Sequence, residues 1–511
     1  MMWPVLLALV SIILNLCICN GACPKKCVCD HGAAFQAVQC FRVQAIPSGI
    51  ARDTKKLNLA YNHIKEVKGR DLSGLPDLED VVLSSAGVEQ VENNAFRAQS
   101  RLRYLDLQKN KLHLLPRGLP TSLETLKVSY NQIHTLQESA LENLKKLRLL
   151  DLQNNYITTL RANVLSGLVK LEWLHLDGNR IETVQGSLRL SQLNLLSFAS
   201  NRIPSFPSTF FTPLKSLTTL CLAGNLLSRV PNDLPGSLTL LSLDKNQIRS
   251  LRNREMAQLR NLTSLSASHN RLVTVDSALR LPKLIFLEVP RNFLRVLPSR
   301  LSPRLERLDC KQNALQEVSF QHLSGMRELR HLFLENNTIK IFEANALRNS
   351  VHLANLALEQ NFLSSIPDGL PESLIRLDLK RNQISVIQES QLSSMRRLQV
   401  LNLRRNRLTT LPQHLPKLLP KLSTLILDGN PWNCTCQLQR LKRALVARGV
   451  EMSNEELCSE KPVGAPLSVG GEWRSHLMED RCEEEEDGED MRREEQDVEI
   501  TDDEEYYDYD E

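Results

Sequence analysis

The side chains of this sequence best placed to do chemistry are its cysteines. It has twelve, and eight stand in two terminal clusters: Cys23, Cys27, Cys29 and Cys40 near the start, and Cys434, Cys436, Cys458 and Cys482 near the end. Thiols grouped in fours either oxidise in pairs or hold a tetrahedral zinc. Without paired histidines beside them, both clusters read as disulfides. A second covalent chemistry lies at the far end, where Tyr506, Tyr507 and Tyr509 stand among Glu504, Glu505, Asp508, Asp510 and Glu511. Tyrosine among clustered acids is similar to the sulfation sites of secreted proteins. Asn261-Leu-Thr and Asn336-Asn-Thr are glycan acceptor sequons, whereas Asn433-Cys-Thr has a half-cystine candidate in its middle position. Catalytic signatures are missing. There is no glycine-rich phosphate loop, no H-E-x-x-H and no G-x-S-x-G, and the 11 histidines are scattered. We therefore expect no enzyme, no cofactor and no metal site.

The start of the chain sets the compartment that such thiols need. Met1 to Asn20 has no charged side chain, Val5 to Leu14 is apolar, and the small Gly21 and Ala22 follow. This predicts a signal peptide over residues 1–21. The alternative, an uncleaved anchor, is disfavoured because the run falls well short of the roughly 20 residues a span needs. No later stretch is long and apolar enough to cross a membrane. The expected product is secreted, into the extracellular space or matrix.

Charge is unevenly placed. The chain of 511 residues has 63 Lys+Arg and 59 Asp+Glu, formally +4. Residues 483–511 hold eighteen carboxylates and only two arginines, Arg492 and Arg493, a net of −16, so the rest carries +20. Such a block reads as a solvated, disordered acidic tail that interacts rather than folds. Nothing points to nucleic acid as a partner.

Between the cysteine clusters lies a tandem array. Leucine fills nearly a fifth of the chain and recurs in the template L-x-x-L-x-L-x-x-N-x-L/I, with Asn at 62, 110, 131, 155, 179, 201, 225, 246, 270, 292, 313, 337, 361, 382, 406 and 430, and Ala86 in one Asn slot. We count seventeen repeats of mean length 23, inside the range of about 20–29 residues for leucine-rich repeats. L-x-x-L-x-L predicts a short strand with inward leucines. No single repeat can bury its apolar face, so the strands must stack into one parallel sheet. The Asn amide is expected to pair backbone groups of adjacent turns. Short repeats share proline connectors at 115–120, 230–235 and 366–371, which exclude helix. Longer ones carry segments such as Glu138 to Leu144, suited to a turn of helix. The fold expected is a curved α/β horseshoe solenoid with a concave sheet: cap 22–50, repeats 51–430, cap 431–482 and tail 483–511.

The repeat rhythm, short then long then long, and the four-cysteine start resemble the small leucine-rich proteoglycan family. The resemblance implies binding of collagen and other matrix proteins, and of growth factors of the transforming growth factor-β class. Two features depart from that family. Cys434, Cys436, Cys458 and Cys482 resemble the four-cysteine close of receptor and guidance ectodomains, which leaves a soluble receptor-like binder of a cell-surface protein as the alternative. Ser48-Gly49, Ser73-Gly74, Ser166-Gly167 and Ser324-Gly325 lack the acidic setting that glycosaminoglycan attachment needs.

Variable template positions should face the open side of the sheet. They hold Tyr104, Leu149, Trp173, Leu195, Leu240, Phe286 and Phe333, and aromatics flanked by polar groups are favoured interface anchors. Trp173 with His175 and Asp151 is the leading candidate patch. Arg376, Lys380, Arg381, Arg404 and Arg405 form a basic cluster that could hold an anion such as heparan sulfate; the plainer reading is a solvated basic face. Cys310 occupies an inward leucine slot. Cys221 falls on the variable face, about four strand spacings of 4.8 Å away, too far for the two to bond.

Overall fold

The computed structural model describes residues 23–30 and 36–453. The signal-peptide segment, Cys458, Cys482, the acidic tail and Tyr506, Tyr507 and Tyr509 lie outside the described residues. The chain divides into two compact units, one ending at Asn355 and the other beginning at Leu356.

The longer unit opens with a hairpin. Cys27–Asp30 and Ala37–Cys40 pair antiparallel, with Cys27 opposite Cys40. Disulfides join Cys27 to Cys40 and Cys23 to Cys29. Ala37–Cys40 then pairs parallel with Lys56–Asn58, Val38 opposite Leu57, and the strand pairs that follow in this unit, through His331–Phe333, are parallel. The cap thus converts a hairpin into the ladder that the repeats continue.

Each repeat contributes a three-residue strand centred on the second leucine of the template. Leu149–Asp151, Trp173–His175, Leu195–Ser197 and Thr219–Cys221 stack in strict register, with Leu150, Leu174, Leu196 and Leu220 aligned. The strand period of two buries those leucines and turns both neighbours to the open face. A short loop then carries the chain outward through a residue in the left-handed region: Tyr130, Asn154, Ser200, Lys245, His269 and Arg291 occupy it in different repeats, with φ between 51° and 55°. Gly178 and Gly224 fill the same slot.

The asparagines lock these turns. Asn155 Nδ2 donates to Leu152 O at 3.1 Å in its own turn and to Val128 O at 3.0 Å in the preceding repeat, and its Oδ1 accepts Ile133 N–H at 3.0 Å. One amide therefore satisfies buried groups of two repeats, each of which would cost roughly 1–3 kcal/mol if left unpaired. Asn179, Asn225 and Asn270 repeat the pattern. Ala86 has no amide to offer. There Ile64 N–H is taken instead by the Ala86 backbone carbonyl at 2.7 Å.

The outer side varies with repeat length. Glu138–Leu141, Asn253–Met256 and Phe320–Leu323 are single helical turns. Thr159–Arg161 pairs with Thr183–Gln185, and Ser250–Leu251 with Thr274–Val275, as short parallel strands. The proline connectors are neither helix nor strand. Phe198, Phe206, Phe210 and Phe211 pack one outer segment with ring centroids 4.9–6.3 Å apart.

In the shorter unit Arg376–Asp378, Val400–Asn402, Thr424–Ile426 and Glu451–Met452 pair in parallel order. Helix Cys436–Ala447 covers them with Leu438, Leu441 and Leu445, its first turn capped by the Thr435 hydroxyl. Cys434 and Cys436 are both disulfide-bonded. Among the described residues no helix is long and apolar enough to cross a membrane.

Candidate binding face of the parallel sheet

Two columns of side chains line the open face of the longer unit, one from each flank of the buried leucines. In the first, Trp173 stands directly between Leu149 and Leu195, all three half-buried. In the second, His175 stands between Asp151 and Ser197. The structure therefore brings Asp151, Trp173 and His175 together. The carboxylates here are occupied. Asp151 Oδ1 accepts Gln153 N–H at 3.0 Å. Asp177, 3.8 Å from His175 Nδ1, accepts Ala199 N–H at 2.7 Å and the Ser197 hydroxyl. What remains to offer a partner is an apolar row, Leu149–Trp173–Leu195, edged by an imidazole.

Next along the second column come Ser197, Cys221, Ser242 and Ser266, a trough of small side chains. Cys221 is free and half-exposed, and burial, then the charge of Asp177, pushes its thiol pKa up. Such a thiol is a poor nucleophile. Cys310 is free and fully buried, as its leucine slot requires.

Beyond the trough lies a second aromatic patch. Phe286, 42% exposed, is opposite Arg307, which is opposite His331. The Arg307 guanidinium lies 4.6 Å from the Phe333 ring centroid, and the His331 ring stacks parallel to Phe333 at 6.2 Å. Arg307 Nε is 3.2 Å from Glu288, and its Nη2 3.8 Å from Asp309, which also meets Lys311 at 3.2 Å. Asn355 Nδ2 approaches His331 Nδ1 at 2.7 Å. Burial, then Arg307 and Arg330, lowers the His331 pKa. The imidazole is thus neutral at physiological pH, with Nδ1 accepting. Phe286 and Phe333 were expected on this face; Arg307 and His331 are members the sequence reading passed over. Their signal was present, a cation and an imidazole at the same template position in adjacent repeats.

In the shorter unit the basic cluster is interleaved with acids. Lys380 Nζ is 3.8 Å from Glu359, and Arg404 Nε is 3.7 Å from Asp428. Asp378 accepts Lys380 N–H at 3.1 Å and the Asn402 amide at 3.0 Å. Arg376 projects from its strand, while Arg381 and Arg405 occupy the left-handed turn slot.

Of the sequon residues, Asn261 is exposed, its amide donating to Gly236 O at 2.9 Å and accepting from Lys283 at 2.8 Å. Asn336 is half-buried in the left-handed turn slot. Among the described residues no group of three or more histidine, cysteine or carboxylate side chains could hold a metal ion.

Comparison with known proteins agrees with this architecture. A leucine rich repeat family model matches residues 121–181, 303–370 and 372–431. Mouse nephrocan is 40% identical over 469 residues, covering 91% of this chain and 90% of nephrocan. The chain belongs to the small leucine-rich proteoglycan family. As a member it is an extracellular leucine-rich repeat protein. Mouse podocan is 30% identical over 66% of this chain and 49% of its own length, and bovine osteomodulin 28% over 68% and 66%. Among solved structures, a Leptospira interrogans leucine-rich repeat protein superposes with a TM-score of 0.62 at 23% identity, over 79% of this chain and 96% of that one. A Drosophila Toll–Spätzle complex gives 0.68 at 22%, over 82% and 60%. These two likenesses speak to the fold alone.

Proposed function

We propose that this small leucine-rich proteoglycan is a secreted, non-catalytic binding protein. Its sheet face recognises matrix proteins such as collagen, growth factors of the transforming growth factor-β class, or both, and so modulates their signalling. The observation that carries the reading is the half-buried row Leu149–Trp173–Leu195 beside His175, with the Phe286–Phe333 patch further along the same face. Flat aromatic anchors beside polar groups that already have partners suit protein recognition, because docking leaves no carboxylate stranded. Lys380, Arg381, Arg404 and Arg405 supply a weaker, salt-sensitive site for heparan sulfate. We assign residues 1–21 to a cleaved signal, 22–50 and 431–482 to caps, Asn261 and Asn336 to glycans, and Tyr506, Tyr507 and Tyr509 to sulfation. The intact mass of the secreted protein tests all of these modifications together.

Binding is tested with immobilised collagen and with a transforming growth factor-β class ligand. Trp173→Ala should weaken the productive one at least about tenfold without moving the thermal midpoint. Exclusive capture of a cell-surface receptor would overturn this choice. It would favour the receptor-like reading, which the four-cysteine carboxyl pattern supports.

A further inference from the structure

A different surface of the longer unit lies off the sheet face, on the edge where the strands turn outward. Lys245, His269 and Arg291 occupy the left-handed turn slot in three successive repeats, at φ 52°, 54° and 55°. Just beyond them the backbone sets Val273 beside Arg249 and Phe293 beside Leu272, through N–H···O bonds of 2.9 and 2.8 Å. Arg271, Arg295 and Val296 complete the strip. All of these side chains except Leu272 are exposed, Phe293 by 59%, Val296 by 60% and Val273 by 47%.

Two observations separate this strip from ordinary basic surface. The first is charge. Arg307 and Lys311, close by on the face, are each matched by Glu288 or Asp309. No carboxylate among the described residues comes within ion-pair distance of Lys245, Arg249, Arg271, Arg291 or Arg295. Arg291 is held by neutral groups instead, with Nε donating to Gln312 Oε1 at 2.5 Å and Nη1 meeting His269 Nε2 at 2.8 Å. Two neutral neighbours thus hold it, and among the described residues no carboxylate pairs with it. The second is the interleaving of three large apolar side chains among the cations, in a setting where isolated exposure would leave them scattered.

We propose that this strip binds an acidic peptide segment that also carries aromatic or aliphatic side chains. The cations supply attraction and orientation, and Val273, Phe293 and Val296 take the apolar side chains. A sulfated polysaccharide would satisfy the charges and leave those three residues without a role, so the peptide is the better fit. The site is independent of the sheet-face reading above, and its failure would not affect that reading.

The test uses the full secreted chain and a fluorescein-labelled synthetic peptide with the sequence of residues 496–511, in which Val498, Ile500 and three tyrosines lie among carboxylates. Fluorescence anisotropy should show saturable binding that weakens as salt rises. Arg271→Glu with Arg291→Glu should weaken it by about tenfold or more. Arg249→Glu with Arg295→Glu serves as a second pair should the first fail to fold. Phe293→Ser with Val296→Ser, all charges kept, should weaken it about fivefold. A peptide with its apolar and aromatic residues replaced by serine should bind the wild-type chain as weakly. Trp173→Ala should have no effect. Absence of binding, or indifference to charge reversal, overturns the proposal. Indifference to both the serine peptide and Phe293→Ser/Val296→Ser overturns it equally, by showing a surface that reads polyanions only.

Discussion

Asp244 Oδ1 accepts the backbone N–H of Ser268 at 2.6 Å, reaching from one repeat into the next. Elsewhere the same turn is capped from within its own repeat, as by Asp106 on Gln108 at 2.9 Å, Asp151 on Gln153 at 3.0 Å and Asp309 on Lys311 at 3.2 Å. Where that capping position is Ser197 or Ser266, the carboxylate of the preceding repeat takes over. Asp177 serves Ala199 at 2.7 Å, and Asp244 serves Ser268, each also accepting the serine hydroxyl. These two aspartates are fasteners between repeats rather than free ligands. Asp244→Ala should lower stability by about 1–2 kcal/mol, read as a fall in urea midpoint. An unchanged midpoint would show that water replaces the carboxylate at no cost.

The amide ladder makes an asymmetric prediction. Asn155→Ala strips Ile133 N–H of its acceptor and leaves Leu152 O to the Asn179 amide and Val128 O to the Asn131 amide, and should cost about 1–3 kcal/mol. Restoring the consensus with Ala86→Asn should gain nothing, because Ile64 N–H already has the Ala86 carbonyl. Equilibrium unfolding of both variants checks it; a stabilised Ala86→Asn protein would contradict the compensation described.

Glu255, among the described residues, is a buried carboxyl of an outer helical turn with no hydrogen-bond partner, its nearest cation Arg254 Nε at 3.9 Å. Its side chain is 1% exposed and neither oxygen has a hydrogen-bond partner. The same position holds Ala140 in another repeat, and Asp71, His322 and Gln391 in three more, where the side chain accepts the N-cap N–H. Burial raises the Glu255 pKa, against the lowering pull of Arg252, Arg254 and Arg229. A raised folded value means that the folded state holds its proton to higher pH than the unfolded one, so this group's contribution falls as pH rises through that window and is unfavourable above it. Glu255→Ala should therefore raise stability at pH 7, and the gain should vanish below the ordinary carboxylate range. Urea midpoints at pH 7 and pH 3.5 test this; equal gains at both would show that charge is not the cause.

His331 has the opposite sign. Its lowered pKa means that the folded state resists protonation, so its contribution is present above the unfolded histidine value and lost as pH falls below it. Protonation would turn Nδ1 into a donor facing the Asn355 amide and add a cation beside Arg307. Nuclear magnetic resonance should find its imidazole neutral, protonated on Nε2, and titrating below the ordinary histidine value. A ligand held by Phe286 and Phe333 should lose affinity on acidification. A normal titration would remove both expectations.

Periodicity made most of this fold legible. Strand positions, the buried leucines, the amide ladder and the turn at Glu138–Leu141 all recur at fixed offsets, so each repeat corroborates the others. The hairpin pairing of Cys27 with Cys40 has no such repetition to draw on, and four cysteines allow three pairings. The cross-repeat reach of Asp177 and Asp244 was hidden because it depends on which residue its neighbour offers one repeat away. The basic cluster of the shorter unit looked stronger in sequence than in space, because Glu359, Asp378 and Asp428 belong to neighbouring positions of the same face. Arg307 is not legible from aromatic residues taken singly, because its guanidinium stacks on Phe333 of the following repeat.

The left-handed turn slot has one more consequence. It recurs at the same place in successive repeats and is occupied by tyrosine, serine, lysine, asparagine, histidine and arginine as well as by glycine. The backbone there is set by the amide ladder beside it, while the side chains meet one another along the edge, as Arg291 meets His269 and Gln312. Selection can therefore rewrite these positions one at a time without refolding the array. The edge is a line of interchangeable fittings on a fixed rail, and relatives that share the rail are free to differ in what they hang from it.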